Sequence, residues 1–170
     1  MLECPAMTMR RRRLSALALA AALPLAGPLA CGPSERAEGA ARDEIEGLLT
    51  AYLPTLSEVY RTGDLGPIEG MAAPRELERV DSFIRERARE GRLVDPTLQR
   101  FEIEKFDLYQ HSNAYLTSRE IWDLRIRAAG SDRLIQEELG KSDRFRYQLR
   151  REGDRWRVLT REVVTAATGG

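Results

Sequence analysis

Ala114-Tyr115-Leu116-Thr117-Ser118-Arg119-Glu120-Ile121-Trp122-Asp123-Leu124-Arg125-Ile126-Arg127-Ala128 is the stretch that decides the fold. Successive residues of a strand point to opposite sides, so a period of two assigns faces directly. Leu116, Ser118, Glu120, Trp122, Leu124 and Ile126 fall on one side. Tyr115, Thr117, Arg119, Ile121, Asp123, Arg125 and Arg127 fall on the other. A mostly apolar face backed by a charged one means an antiparallel strand with one side on a core.

The same rhythm continues downstream. Gly130-Ser131-Asp132 reads as a turn, and Leu134 to Lys141 as an extended lead-in to the next strand. Phe145, Tyr147 and Leu149 then alternate with Arg144, Arg146, Gln148 and Arg150. After the turn Glu152-Gly153-Asp154, Trp156 and Val158 alternate with Arg155, Arg157 and Arg161. Upstream, Phe101, Ile103, Phe106 and Leu108 follow Asp95-Pro96 and give another strand, with an irregularity near Lys105.

Further upstream the period lengthens. Ile45, Leu48, Leu49, Tyr52, Leu56, Val59 and Tyr60 make one helical stripe from Arg42 onward, with Pro54 inside it as a kink or a division into two helices. Gly63-Asp64-Leu65-Gly66-Pro67 ends it, and a short helical turn is expected around Ile68 to Met71. Pro74 suits the first position of a second helix, since the N–H it lacks has no partner there. Leu77, Val80, Phe83 and Ile84 are its apolar stripe; Arg75, Glu78, Arg79, Arg85, Glu86 and Arg89 form a solvated face.

Helices followed by about four meandering strands predict an α+β layer, the N-terminal helices packed on one face of an antiparallel sheet. On the Glu120-Ile121-Trp122-Asp123 strand, the Arg144-Phe145-Arg146-Tyr147-Gln148-Leu149 strand and the closing Asp154-Arg155-Trp156-Arg157-Val158, the chain resembles the NTF2-like (SnoaL-like, cystatin-like) superfamily over residues 41–165. The resemblance implies a cone, with a pocket between the curved sheet and the helices. Some proteins of that kind are isomerases or dehydratases acting on hydrophobic small molecules through a pocket acid or base, often with a tyrosine. Many others only bind. Fold alone does not choose between them.

The first 30 residues read differently. Arg10 to Arg13 precede the uncharged run Leu14–Ala30, broken by Pro24, Gly27 and Pro28, which is the composition of an export signal. Met7 and Met9 are alternative starts to Met1. Pro28-Leu29-Ala30-Cys31-Gly32 resembles the lipobox of bacterial lipoproteins, with the leucine two residues before the cysteine and Pro28 in the place three before it. That resemblance implies lipid on Cys31 and a bacterial cell-envelope location, on the periplasmic or outer surface side. Cleavage near Ala22, Ala26 or Ala30 by ordinary signal peptidase is the competing reading, with Cys31 an incidental thiol. Residues 31–40, polar and rich in Gly and Pro, are expected to be a flexible tether, and residues 166–170 a disordered tail.

From Cys31 onward 23 basic residues stand against 26 acidic ones, a net charge of −3 that gives no reason to expect nucleic-acid binding. One cysteine remains after signal removal, so no internal disulfide forms. With one histidine, His111, in a polar turn, a Cys/His metal site is not expected, and neither is a cofactor.

Candidate site residues follow from the faces. Glu120, Trp122, Tyr109 and Tyr147 are candidate pocket residues. Glu120 is the weak catalytic candidate, because burial would suit a carboxylate to acid/base work. The alternative is that it pairs with an arginine across the sheet. Arg125, Arg127, Arg144, Arg146, Arg155 and Arg157 line the outer face, which either attracts an acidic partner or only solubilises the sheet. The functions to weigh are therefore a non-enzymatic module binding an envelope protein or small ligand, an isomerase- or dehydratase-type enzyme using Glu120, and a dimeric scaffold through the sheet face.

Overall fold

The computed structural model describes residues 33–131 and 133–164. The expected export signal, Cys31 and the tail at 166–170 lie outside the described residues. Helix α1 spans Pro33–Thr62, a one-turn 3-10 helix Gly66–Ile68, and helix α2 Pro74–Arg89. Strands β1 Arg92–Tyr109, β2 Asn113–Ala128, β3 Leu134–Glu152 and β4 Arg155–Val163 follow, paired antiparallel in the order β1-β2-β3-β4. Two helices therefore cover one face of a curved, open sheet.

Two features of α1 depart from expectation. Pro54 neither ends nor divides the helix. Its missing hydrogen bond costs about 3 kcal/mol. Tyr52, Leu53, Leu56 and Val59 beside it are fully buried, each contributing roughly 1.5–3 kcal/mol, so packing outweighs the break. The stretch expected as a tether is helical from Pro33. Pro33 sits where the helix start has no use for its N–H, and alanines 37, 40 and 41 and the glutamates outvote Gly39.

β1 begins at Arg92, earlier than expected, and passes through Pro96. This is tolerated because β1 is an edge strand, where a missing donor breaks no ladder. Its register against β2 slips between Leu98 and Arg100 and again between Ile103 and Lys105. The second slip is the irregularity expected near Lys105. Another lies between Trp122 and Leu124, facing Gly140, whose φ of 66° is the left-handed region. There the Gly140 N–H donates to Asp123 Oδ1 at 2.7 Å, a carboxylate standing in for a ladder carbonyl. Such bulges bend strands, and together they curl the sheet around the helices.

A further slip, between Gln148 and Leu149, matters most. Val158 pairs with Leu149, but Thr160 pairs with Gln148 and Arg161 with Tyr147, so β4 carries one extra residue near Leu159. Side-chain parity reverses beyond it. Arg161, expected outside with Arg155 and Arg157, points inward and is buried.

The core joins Ile45, Leu49, Tyr52, Leu56 and Val59 of α1 to Leu116, Trp122, Tyr147, Leu149, Trp156 and Val158 of the sheet. The free edge of β4 is partly covered by the segment before α2. Val158 N–H donates to the Met71 carbonyl at 2.9 Å and Ala73 N–H to the Val158 carbonyl at 2.8 Å.

Candidate functional site

Four charged side chains meet where β2 and β4 face helix α2. Glu120, fully buried on β2, accepts from Ser118 Oγ at 2.8 Å and from the Tyr147 hydroxyl on Oε1. On Oε2 it accepts from Trp122 Nε1 at 2.9 Å and from Arg161 Nη2 at 2.5 Å. Two donors per oxygen use the acceptor sites of a carboxylate. Arg161 Nε also donates to Tyr147 Oη at 2.9 Å, closing a ring of three side chains. The guanidinium carbon stands 3.6 Å from the Phe145 ring centroid and 5.5 Å from that of Trp122, two aromatic faces on one cation.

A second buried carboxylate joins through the backbone. Glu76 of α2 is fully buried and accepts from Tyr52 Oη at 2.9 Å and from Arg79 Nε at 2.7 Å and Nη2 at 2.5 Å. The Arg161 backbone N–H reaches Glu76 Oε2 at 3.3 Å. Two glutamates and two arginines balance, which is what permits charge at this depth. Burial first, then the neighbouring carboxylate, raises the Tyr52 phenol well above its usual range. For Tyr147, burial and Glu120 outweigh the opposing pull of Arg161, again upward. Both phenols stay protonated and serve as donors. Burial disfavours the Arg161 cation, yet Tyr147 and Glu120 more than offset this and the net shift is upward.

Above this layer opens a cavity of about 510 Å³, within the range of roughly 300–1,000 Å³ usual for small-molecule sites. Tyr60 and Phe83 from the helices and Trp122, Leu124, Ile126 and Phe145 from the sheet supply its apolar walls. Arg161 stands in the same wall, and Arg79, Arg87, Lys141, Asp143 and Glu162 add charge. Arg87 lies 5.3 Å over the Phe83 ring, and its Nε is buried without a hydrogen-bond partner.

Of the pocket residues expected from sequence, Trp122 lines this cavity. Glu120 and Tyr147 lie beneath its floor. Tyr109 is 59% exposed at the far end of β1 from Val94 and Pro96, next to the turn where Gln110 and His111 take positive φ, and belongs to no pocket wall. It alternates with Phe106 and Leu108, which pack against the core, so strand parity turns it outward.

The outer arginines are interleaved with carboxylates. Arg125 pairs with Glu137 at 2.7 Å, Arg127 with Asp95 at 3.7 Å, Arg144 with Glu104 at 2.9 Å, Arg157 with Glu152 at 3.3 Å and Arg155 with Asp154 at 3.9 Å. Arg146 is exposed. Among the described residues no group of His, Cys, Asp and Glu is arranged to hold a metal ion, and no helix is long and apolar enough to cross a membrane.

Glu76 and Arg161 were missed by sequence reasoning. Glu76 does fall on the buried stripe, four residues before Val80, and that spacing was its signal.

No protein-family model and no curated protein matches the chain. Solved structures do. The intermembrane-space region of the chloroplast protein ARC6 superposes with a TM-score of 0.63 at 13% identity, over 74% of this chain and 97% of that one. The fold is NTF2-like. An NTF2-like protein of unknown function from Shewanella oneidensis aligns at 18% identity over 72% of this chain and 98% of its own, TM-score 0.44. A periplasmic fragment of TraM aligns at 13% identity over 74% and 98%, TM-score 0.49. At these identities the likeness concerns the fold alone.

Proposed function

We propose that this NTF2-like domain is a non-enzymatic binding module of a bacterial cell-envelope lipoprotein, held at the membrane by lipid on Cys31, with the apolar cavity as its small-ligand site. The observation behind the binding reading is the saturation of Glu120. A general acid or base needs a proton or lone pair within reach of substrate. Glu120 has four donors on it and lies under the floor, so the isomerase- or dehydratase-type alternative lacks its reacting group.

The test uses protein purified in its processed form, titrated with the apolar fluorophore N-phenyl-1-naphthylamine. Saturable fluorescence enhancement is expected, weakened at least about tenfold by Leu124→Trp, which fills the cavity. Absence of saturable binding would remove the ligand reading. For the anchor, intact-mass spectrometry should find acylated Cys31 and Cys31→Ser should release the protein from membranes; an unmodified thiol on a soluble product would sink it. One observation favours the dimeric alternative. β4 pairs with β3 only over Phe145–Glu152, so among the described residues 134–143 have no strand neighbour on that side, while Leu134, Ile135 and Leu139 are exposed. A monomeric mass by light scattering at micromolar concentration would count against it.

A further inference from the structure

Arg161 brings to the cavity a donor that the protein does not use. Its Nε serves Tyr147 and its Nη2 serves Glu120, whereas Nη1 has no hydrogen-bond partner among the described residues. The side chain is only 8% exposed and stands in the cavity wall. A guanidinium keeps its charge at any physiological pH, so this N–H₂ is a permanent cationic donor set in apolar surroundings. Nη1 is not sealed from solvent, so it opens onto the cavity instead of lying in the closed core. Glu120 cannot turn to it, because its acceptor sites are taken. An oxygen from outside the chain can therefore meet it, and a ligand that brings one on an apolar body also suits Trp122, Leu124, Ile126 and Phe145.

We propose that the cavity binds an amphipathic monocarboxylate, its apolar chain against Trp122, Leu124 and Ile126 and its carboxylate on Arg161 Nη1. This rests on the binding reading above and names its ligand class. A carboxylate is favoured over a neutral carbonyl or hydroxyl for two reasons. Charge-assisted hydrogen bonds are about twice as strong as neutral ones. The cavity wall also holds Arg87, whose Nε is buried without a hydrogen-bond partner. The two buried carboxylates, Glu76 and Glu120, are taken by their own donors.

The experiment compares dodecanoate with dodecanol, equal in chain length and different in head group, as competitors of N-phenyl-1-naphthylamine on the processed wild-type protein. Dodecanoate should displace the dye at a concentration about tenfold lower or better. Equal displacement by both overturns the carboxylate assignment and leaves the cavity reading standing. No saturable dye binding overturns the cavity reading itself. Nitrogen-15 spectra of the arginine side chains locate the head group in the unaltered protein: the Arg161 Nε resonance should move with dodecanoate and not with dodecanol, and a stationary Arg161 signal would overturn its role. The paired Glu120→Gln/Arg161→Gln protein, if folded by circular dichroism, should bind acid and alcohol alike; a retained tenfold preference would assign the carboxylate elsewhere.

Discussion

The arginines of this domain live in two settings. On the outer sheet face, Arg125 and Arg144 pair with Glu137 and Glu104 at partly exposed positions that water reaches. In the cavity wall, Arg161, nearly buried, pairs with the fully buried Glu120. Residue types and distances are similar, 2.7 and 2.9 Å outside and 2.5 Å inside. The settings differ in what happens when one partner is lost. Outside, water and salt replace it at once. Inside, the survivor is an unpaired charge in a medium that cannot solvate it, at a cost of about 3–5 kcal/mol. An ion pair is therefore important here according to depth, not geometry.

The largest expected effect tests that contrast directly. Arg161→Met should lower the melting temperature by roughly 10–20 °C, and Glu120→Leu by a similar amount, measured by calorimetry. The paired Glu120→Leu/Arg161→Met change should recover most of the loss, because it leaves no lone charge. Additive losses would show that the two groups act independently and would dissolve the comparison.

Alkaline titration comes next. Tyr52 and Tyr147 have phenols raised in the folded state above the ordinary value near 10. The folded protein thus holds these protons after the unfolded chain has begun to lose them. Their contribution is fully present below pH about 10 and declines above it, at up to about 1.4 kcal/mol per pH unit for each tyrosine. Denaturant midpoints between pH 9 and 11 should fall accordingly, and Tyr52→Phe should flatten the slope. An unchanged slope would mean that Tyr52 is not shielded.

Gly140→Ala should cost about 1 kcal/mol, since a side chain is strained at its positive φ even though nothing crowds the site. Smallest of all, Arg125→Ala and Arg144→Ala should leave the melting temperature within about 1 °C of the parent. A clear drop for either would place the outer ladder in the same class as the inner pair.

The sheet was legible because water enforces parity: Leu116, Ser118, Glu120 and Trp122 share a face whatever lies around them, and all four are buried. The inward carboxylate was readable on that basis. Its partner was not. Arg161 follows Arg155 and Arg157 in apparent phase, and nothing near Leu159 resembles the Gly or Pro that usually marks a bulge. Glu76 hid for another reason. An acid in the first turn after Pro74 is ordinary helix-start chemistry, which masks its spacing from Val80, and in the fold Arg79 and β4 close over it. Division of α1 at Pro54 is overridden by the packing of its buried neighbours, whereas the helical start at Pro33 was missed because Gly39 was weighed above the alanines and glutamates around it.

The extra residue at the Val158 to Arg161 step has a consequence for how variation reaches this site. Removing one residue there would keep strand composition almost intact while exchanging interior for exterior from that point on. Arg161 would be delivered to solvent, and Glu120 would lose its counter-charge with no substitution at either position. The chemistry of the cone floor is thus specified by a count of residues as much as by their identities. A single-codon deletion at Leu159 should damage the domain more than most point changes within the cavity wall.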